Sequence, residues 1–192
     1  MEKAITLFTI VFLVITIFIF LESKNNDVVY VKSTIDNKTY LVRNLPDKEK
    51  AANMLAKTRK KLLDLCNILD KKYNKNKAIN RLVYNFRPDN LSEGASSNKY
   101  TSYSVNKGEK IVFCLRSRNS KEDLVQENTM MFVALHELAH VMTKSIGHTD
   151  EFWNNFKFLL KHAIANGLYV KQDFKKKPVK YCGTMITDSP YP

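Results

Sequence analysis

Two histidines and a glutamate in the C-terminal half of the chain have the types and spacing of a metal-dependent hydrolytic site. His136 and Glu137 are followed at the fifth position by His140, which is the pattern H-E-x-x-H. On a helix, positions i and i+4 lie on one face one turn apart, so both imidazoles can reach a single cation. Glu137 can accept a proton from a water that the cation holds as that water attacks a carbonyl. Zinc suits such ligands and leaves one coordination position open, so the motif predicts a Zn2+ site.

The residues after the motif offer a third zinc ligand. His148 follows Gly147, and three of the four histidines of the chain therefore fall between His136 and His148. Glu151 is the alternative ligand, because a carboxylate on the next helix can complete a zinc site. In the first turn of a helix, however, an acid is also favoured by the helix dipole alone. We expect His136, His140 and His148 to bind the metal.

Other polar residues are weaker candidates for a role in the reaction. A tyrosine hydroxyl can stabilise the oxyanion of a tetrahedral intermediate, and Tyr100, Tyr103 and Tyr181 are the candidates. We expect each of the three to be an ordinary core or surface tyrosine. His162 has Lys161 beside it, and we expect it to lie on the surface.

The segment that carries the motif has the composition of a buried helix. Its neighbours are almost all uncharged, and the helix is predicted to begin at Asn128 or one turn earlier and to end at Gly147, a suitable αL residue. Thr149 is predicted to cap the next helix. The buried stripe of that helix is predicted to consist of Phe152, Phe156, Leu159 or Leu160, and Ala163.

The rest of the chain predicts an α+β fold, with helices packed on a small mixed or antiparallel sheet. A long helix starts after an N-cap at Asp47 and runs to about Tyr73, with a core stripe every three or four residues. That stripe contains Leu55, Leu62, Leu65 or Cys66, and Leu69. The other predicted elements are a hairpin of Val28–Val31 and Thr39–Val42, a helix over Ala78–Phe86, a loop over 88–99, a hairpin of Tyr100–Val105 and Lys110–Leu115, and a strand within Tyr181–Thr187.

The N-terminus predicts a membrane segment. Residues 4–21 contain no charge over 18 positions, close to the roughly 20 residues that cross a hydrocarbon core. The bulky Phe20 and Leu21 at its end disfavour a cleaved signal peptide. We therefore predict a single-pass transmembrane anchor over 1–24 and one domain over 25–192. The excess of Lys and Arg after the segment predicts a domain on the cytoplasmic side.

Composition bounds the remaining alternatives. Hydrophobic residues make up 44% of the chain, which excludes disorder of the whole protein. The net charge of +12 favours contact with nucleic acid or anionic lipid. Cys66, Cys114 and Cys182 are widely spaced, so we expect three separate buried thiols and a reducing compartment, without a disulfide.

The motif region resembles a known family. H-E-x-x-H at 136–140, followed by G-H-x-x-E-F at 147–152, resembles the zincin core of SprT-like and WLM-type metallopeptidases over about residues 130–160. The whole chain resembles uncharacterised membrane-anchored proteins of giant DNA viruses. The longer spacing between the second and third histidines disfavours the metzincin pattern.

The resemblance implies a zincin fold with zinc held by His136, His140 and His148 and with Glu137 as general base. It also implies that the strand Lys110–Leu115 forms an edge beside the cleft. The expected function is a membrane-anchored zinc metallopeptidase acting on a protein or peptide, in a virion or host membrane. The alternatives are a non-catalytic envelope protein that binds zinc, a protease for nucleic-acid-associated proteins, and a hydrolase of non-peptide substrates.

Overall fold

A computed structural model describes residues 2–24, 27–98 and 100–191, and it describes the side chains of the first helix for residues 5–17. The described chain has the predicted α+β architecture. Its helices and strands follow in the order α1 (Glu2–Lys24), β1 (Val28–Lys32), β2 (Thr39–Arg43), α2 (Lys48–Tyr73), α3 (Lys77–Asn85), β3 (Leu91–Glu93), β4 (Ser102–Val105), β5 (Lys110–Phe113), α4 (Glu127–Met142), α5 (Asp150–Ala165), β6 (Val179–Tyr181) and β7 (Thr184–Ile186).

The strands of the described chain form three small sheets. β1 and β2 form an antiparallel hairpin, as predicted, and β6 and β7 form another. Between them in sequence lies a mixed sheet of order β3-β5-β4, in which β3 is parallel and β4 antiparallel to β5. β5 is therefore the central strand and β3 and β4 are the edges, so the prediction that Lys110–Leu115 forms an edge was wrong. The reason is β3, a three-residue strand inside the stretch 88–99 whose polar composition had predicted a loop.

Helix α4 lies at the centre of the core. Twelve of its sixteen residues are buried, which explains the absence of a polar stripe in its sequence. The stripe predicted on α2 is buried, and Leu55, Leu62, Leu65 and Leu69 are fully inaccessible to water. Burial of each such side chain contributes about 1.5–3 kcal/mol. α2, α3 and α5 pack against α4 and fix the position of the face that carries the motif.

The motif helix ends five residues earlier than predicted, at Met142. Both the amide and the hydroxyl of Thr143 donate to the Ala139 carbonyl, at 3.0 and 2.7 Å, while the Thr143 backbone is extended. Asn155 of α5 holds the same hydroxyl, with its Nδ2 at 2.9 Å. Gly147 has the expected positive φ of 83°, but it lies in the loop 143–149 and not at the helix end.

A buried ion network joins the N-terminal and central elements. Arg116 is only 4% exposed, and it pairs with Glu93 at 2.9 Å and Asp47 at 2.7 Å. Asp47 occupies the N-cap position of α2, as predicted, but its side chain makes no capping hydrogen bond. Its carboxylate is instead used to compensate the buried guanidinium, because a charge out of water needs a partner.

The prediction of three separate thiols was wrong. Cys114 follows β5 and Cys182 lies in the turn between β6 and β7, and the fold brings them into a disulfide across 68 residues with a Cα–Cα distance of 6.2 Å. Cys66 is a buried free thiol. The inference of a reducing compartment therefore loses its basis.

The predicted membrane anchor is not supported by the structure. Residues 2–24 form a helix, but no helix within the described part of the chain meets the combined length and hydropathy needed to cross a membrane. Asn25 and Asn26, at the predicted domain boundary, lie outside the described residues.

Candidate metal centre

The structure brings the three predicted ligands together. Nε2 of His136 lies 3.2 Å from Nε2 of His140 and 3.1 Å from Nε2 of His148. One ligand atom of each histidine lies within 4.8 Å of the others. Nitrogen ligands of a tetrahedral zinc ion, at 2.0–2.1 Å from the metal, are about 3.3 Å apart. The three imidazoles therefore fit one tetrahedral ion with a fourth position left open.

Glu151 holds the loop that carries His148. Its carboxylate accepts hydrogen bonds from the amide of Lys144 at 2.9 Å, the amide of Ser145 at 3.0 Å and the Ser145 hydroxyl at 2.8 Å. These bonds, the backbone amides first, lower the pKa of Glu151 to about 2. Both oxygens are thus engaged with the loop, which assigns Glu151 a positioning role that the sequence left open.

Two further contacts fix the same loop. Lys107, in the turn between β4 and β5, donates to the carbonyls of Thr143 at 3.0 Å and Ser145 at 2.6 Å. Thr149 caps α5 as predicted, because its hydroxyl accepts from the Phe152 amide at 3.4 Å. The loop is therefore tied to the sheet at one end and to α5 at the other.

Burial favours the neutral form of the His136 and His140 imidazoles. It lowers the pKa of His136 to about 3, with help from His140 and His148. Burial also lowers the pKa of His140 to about 4, and the neighbouring His148 and Lys107 act in the same direction. A metal ligand must offer an unprotonated nitrogen, so these shifts favour coordination at neutral pH.

Aromatic rings from α5 orient the histidines. Phe152 stacks on His140 at 4.3 Å between ring centroids and meets His136 and His148 edge-on at 4.9 and 4.6 Å. Trp153 stacks on His148 at 5.6 Å. Because these contacts restrict ring rotation, they hold the three nitrogens in convergence. Phe152 was predicted only as a core residue, and Trp153 was not predicted to have a role. The signal that could have found both is their position at the start of the helix that follows Gly147 and His148.

Glu137 lies beside the histidines and is 4% exposed. Burial raises its pKa to about 8. A divalent cation next to the carboxyl would lower that pKa again, because an opposite charge favours the ionised form. The proton affinity of Glu137 would therefore fall when a metal binds to the histidines.

The site opens into a cleft of about 610 Å³. One wall is the segment from Thr101 to Lys107, which includes β4, and the opposite wall is α4 with the loop of His148. The β6–β7 hairpin contributes Tyr181, Thr184 and Ile186. Within the described sheet, β4 is paired only with β5, so its other edge is free to pair with an extended chain.

The remaining candidates have structural partners. Tyr181 is 3% exposed, and its hydroxyl donates to the Cys114 carbonyl at 2.7 Å and lies 2.8 Å from the Ser102 hydroxyl. Burial raises the pKa of Tyr181. Tyr103 lines the cleft, whereas Tyr100 lines a separate cavity. The prediction of a surface position for His162 was wrong, because it is 8% exposed and lies 3.2 Å from the Tyr73 hydroxyl.

Comparisons with known proteins identify the family of the chain. The family model described as WLM domain matches residues 34–190. An uncharacterised protein of Acanthamoeba polyphaga mimivirus is 38% identical over 180 residues, which cover 91% of each chain. An uncharacterised protein of Invertebrate iridescent virus 3 is 49% identical over 83 residues, 42% of this chain and 48% of that protein. The crystal structure of Wss1 from Saccharomyces cerevisiae matches with a TM-score of 0.47 and 24% identity, over 66% of this chain and 88% of that chain.

Proposed function

The chain belongs to the WLM domain family of zincin-like proteases, and on that premise we propose that it is a zinc-dependent metallopeptidase that hydrolyses peptide bonds. The observation that carries the proposal is the convergence of three imidazole nitrogens, 3.1 and 3.2 Å apart, beside a buried carboxyl at the floor of a cleft. His136, His140 and His148 would hold Zn2+. Zinc bound there would supply Lewis acidity, which activates water and polarises a carbonyl.

The chain's own residues perform the remaining steps. An extended peptide pairs with the free edge of β4, which positions its carbonyl over the histidines. Glu137 takes the proton of the attacking water on its carboxylate and passes it to the leaving amine nitrogen. The buried position of Glu137 excludes bulk water from this transfer.

Two alternatives differ in substrate or in turnover. A non-catalytic zinc protein has no need of the Glu137 carboxyl, so its presence beside the ligands favours the enzyme. A net charge of +12 favours substrates that are proteins associated with nucleic acid.

The membrane-related features of the chain stay predictions. They are the division into residues 1–24 and a domain over 25–192, the membrane anchor, and a location in a virion or host membrane. Membrane fractionation of the chain with and without residues 1–24 would test them.

Glu137→Gln tests the proposal. We expect the variant to keep one zinc ion per chain and to lose peptide cleavage by about 10²–10⁴-fold, the usual contribution of a general base. Glu127→Gln is the matched control, since Glu127 begins the same helix, is exposed and pairs with Lys57. Cleavage by Glu137→Gln at the wild-type rate, or absence of zinc from both proteins, would contradict the proposal.

A further inference from the structure

A second cavity, of about 490 Å³, adjoins the metal centre. It shares Phe132, His136 and Ile186 with the substrate cleft. A peptide that lies in the cleft over His136 therefore has a side pocket within reach of the residues next to the bond that is cut. We call this cavity the side pocket. Its lining consists of Phe132, His136, Trp153, Phe156, Met185, Ile186 and the segment 187–190.

The side pocket is lined mainly by apolar groups. Phe132 and Phe156 are buried core residues whose ring centroids are 5.2 Å apart, and Phe156 meets His136 at 5.3 Å. Trp153 and Met185 are also large and apolar, yet they are 43% and 55% exposed. Large apolar side chains left open to water around a cavity mark a surface that binds something apolar.

The charge at the side pocket is compensated. Among the described residues that line it, Asp188 is the one acid, and its carboxylate lies 3.5 Å from the Lys175 ammonium. A volume of about 490 Å³ is within the range of pockets that enclose small ligands. The pocket has an apolar floor of Phe132 and Phe156, and its walls are mainly apolar, with Thr187, Ser189 and the compensated Asp188 at one side. Such a lining disfavours a charged occupant, because the desolvation of that charge would not be repaid.

We propose that the side pocket receives a large aliphatic or aromatic side chain of the substrate, at one position adjacent to the scissile bond. This inference rests on the proposed function and names the substrate class of the same site. Met185 is the specificity-determining residue that can be varied most cleanly. Met185 lies on β7, outside the metal ligands and the buried core. Trp153 is less suitable, because it stacks on His148 and its substitution would disturb that metal ligand.

The test is a digest of a random peptide mixture by the zinc-loaded full chain, with cut sites identified by mass spectrometry. We expect large apolar residues to be enriched about 10–100-fold at one position beside the cut, the discrimination that one buried apolar side chain provides. Met185→Lys should abolish the enrichment and favour acidic residues, and Met185→Glu should favour basic ones. Ile35→Lys is the control, because Ile35 is an exposed apolar residue outside both cavities.

The outcomes separate the two ideas. Two results would contradict the proposed role of the side pocket without contradicting the peptidase activity. One is cleavage without apolar enrichment, and the other is enrichment that Met185→Lys and Met185→Glu leave unchanged. Failure of zinc-loaded wild type to cut any peptide would overturn the proposed function and the side pocket with it. Zinc content and thermal unfolding check both variants. Unfolding of both would also count against the proposal, because it would show that Met185 supports the fold and does not form an open wall.

Discussion

At the scale of single residues, burial sets the protonation of the candidate site. The same lack of water lowers the pKa of His136 and His140 and raises the pKa of Glu137. All three shifts favour the neutral form of the group. The metal-free site therefore favours uncharged side chains at these three positions near neutral pH. A bound cation would stabilise the ionised form of Glu137.

The metal-free protein should show this in its stability. The ordinary pKa of a glutamate is 4.5, and burial raises the pKa of Glu137 to about 8 in the folded chain. Between those values the folded state binds more protons than the unfolded state, so stability falls as pH rises. We expect the free energy of unfolding of the metal-free wild type, compared with that of Glu137→Gln, to fall by up to about 1.4 kcal/mol per pH unit over that window. Urea unfolding in chelator from pH 5 to 9 measures it, and parallel curves for the two proteins would contradict it.

Spacing predicted the candidate residues better than it predicted their surroundings. His136, Glu137, His140 and His148 are a local pattern, so the sequence alone could single them out. The burial of His162 depends on Tyr73, 89 positions away. A contact at such a separation leaves no trace in local spacing.

At the scale of elements, the loop 143–149 decides where the third histidine lies. The loop has no regular structure of its own, and Glu151 and Lys107 supply hydrogen bonds that hold its backbone. Residues that orient a ligand in this way contribute to metal affinity without touching the metal.

Removal of the Glu151 side chain should therefore weaken zinc binding while all three histidines remain. We expect Glu151→Ala to raise the zinc dissociation constant by about 10–100-fold. Asp150→Ala is the matched control, since Asp150 is an exposed acid in the same helical turn. Competition with a chromophoric chelator gives both constants. An equal effect of the two substitutions would show that general charge, and not the bonds to Lys144 and Ser145, is responsible.

The predictability of the elements follows from their length. α2 and α5 have apolar stripes over many turns, so their cores were predicted. β3 spans only Leu91–Glu93 and has too few residues for an alternation to be visible. The end of α4 was missed because it depends on Asn155 of another helix, which holds the Thr143 hydroxyl.

At the scale of the whole molecule, the C-terminal hairpin closes the site. Tyr181 of β6 and Thr184 and Ile186 of β7 line the cleft beside the histidines, and β7 also lines the side pocket. The Cys114–Cys182 disulfide ties this hairpin to the end of β5, and the Tyr181 hydroxyl bonds to the carbonyl of the same Cys114. With three cysteines, three pairings are open, and local spacing does not choose among them.

Loss of the disulfide should destabilise the protein. We expect Cys114→Ser with Cys182→Ser to lower the free energy of unfolding by about 2–5 kcal/mol, the usual effect of a bond that closes a long loop. Dithiothreitol should have the same effect on wild type and none on the double variant, as measured by urea unfolding. Three reactive thiols in the denatured, unreduced wild type, in place of the single Cys66, would contradict the pairing.

Zinc K-edge X-ray absorption of the zinc-loaded chain would show whether His136, His140 and His148 share one divalent cation. We expect one zinc per chain with three imidazole nitrogens at about 2.0–2.1 Å and one further light atom. His148→Ala should lose one imidazole from that shell. A spectrum with two imidazoles or fewer in the wild type, or a shell that His148→Ala leaves unchanged, would contradict it.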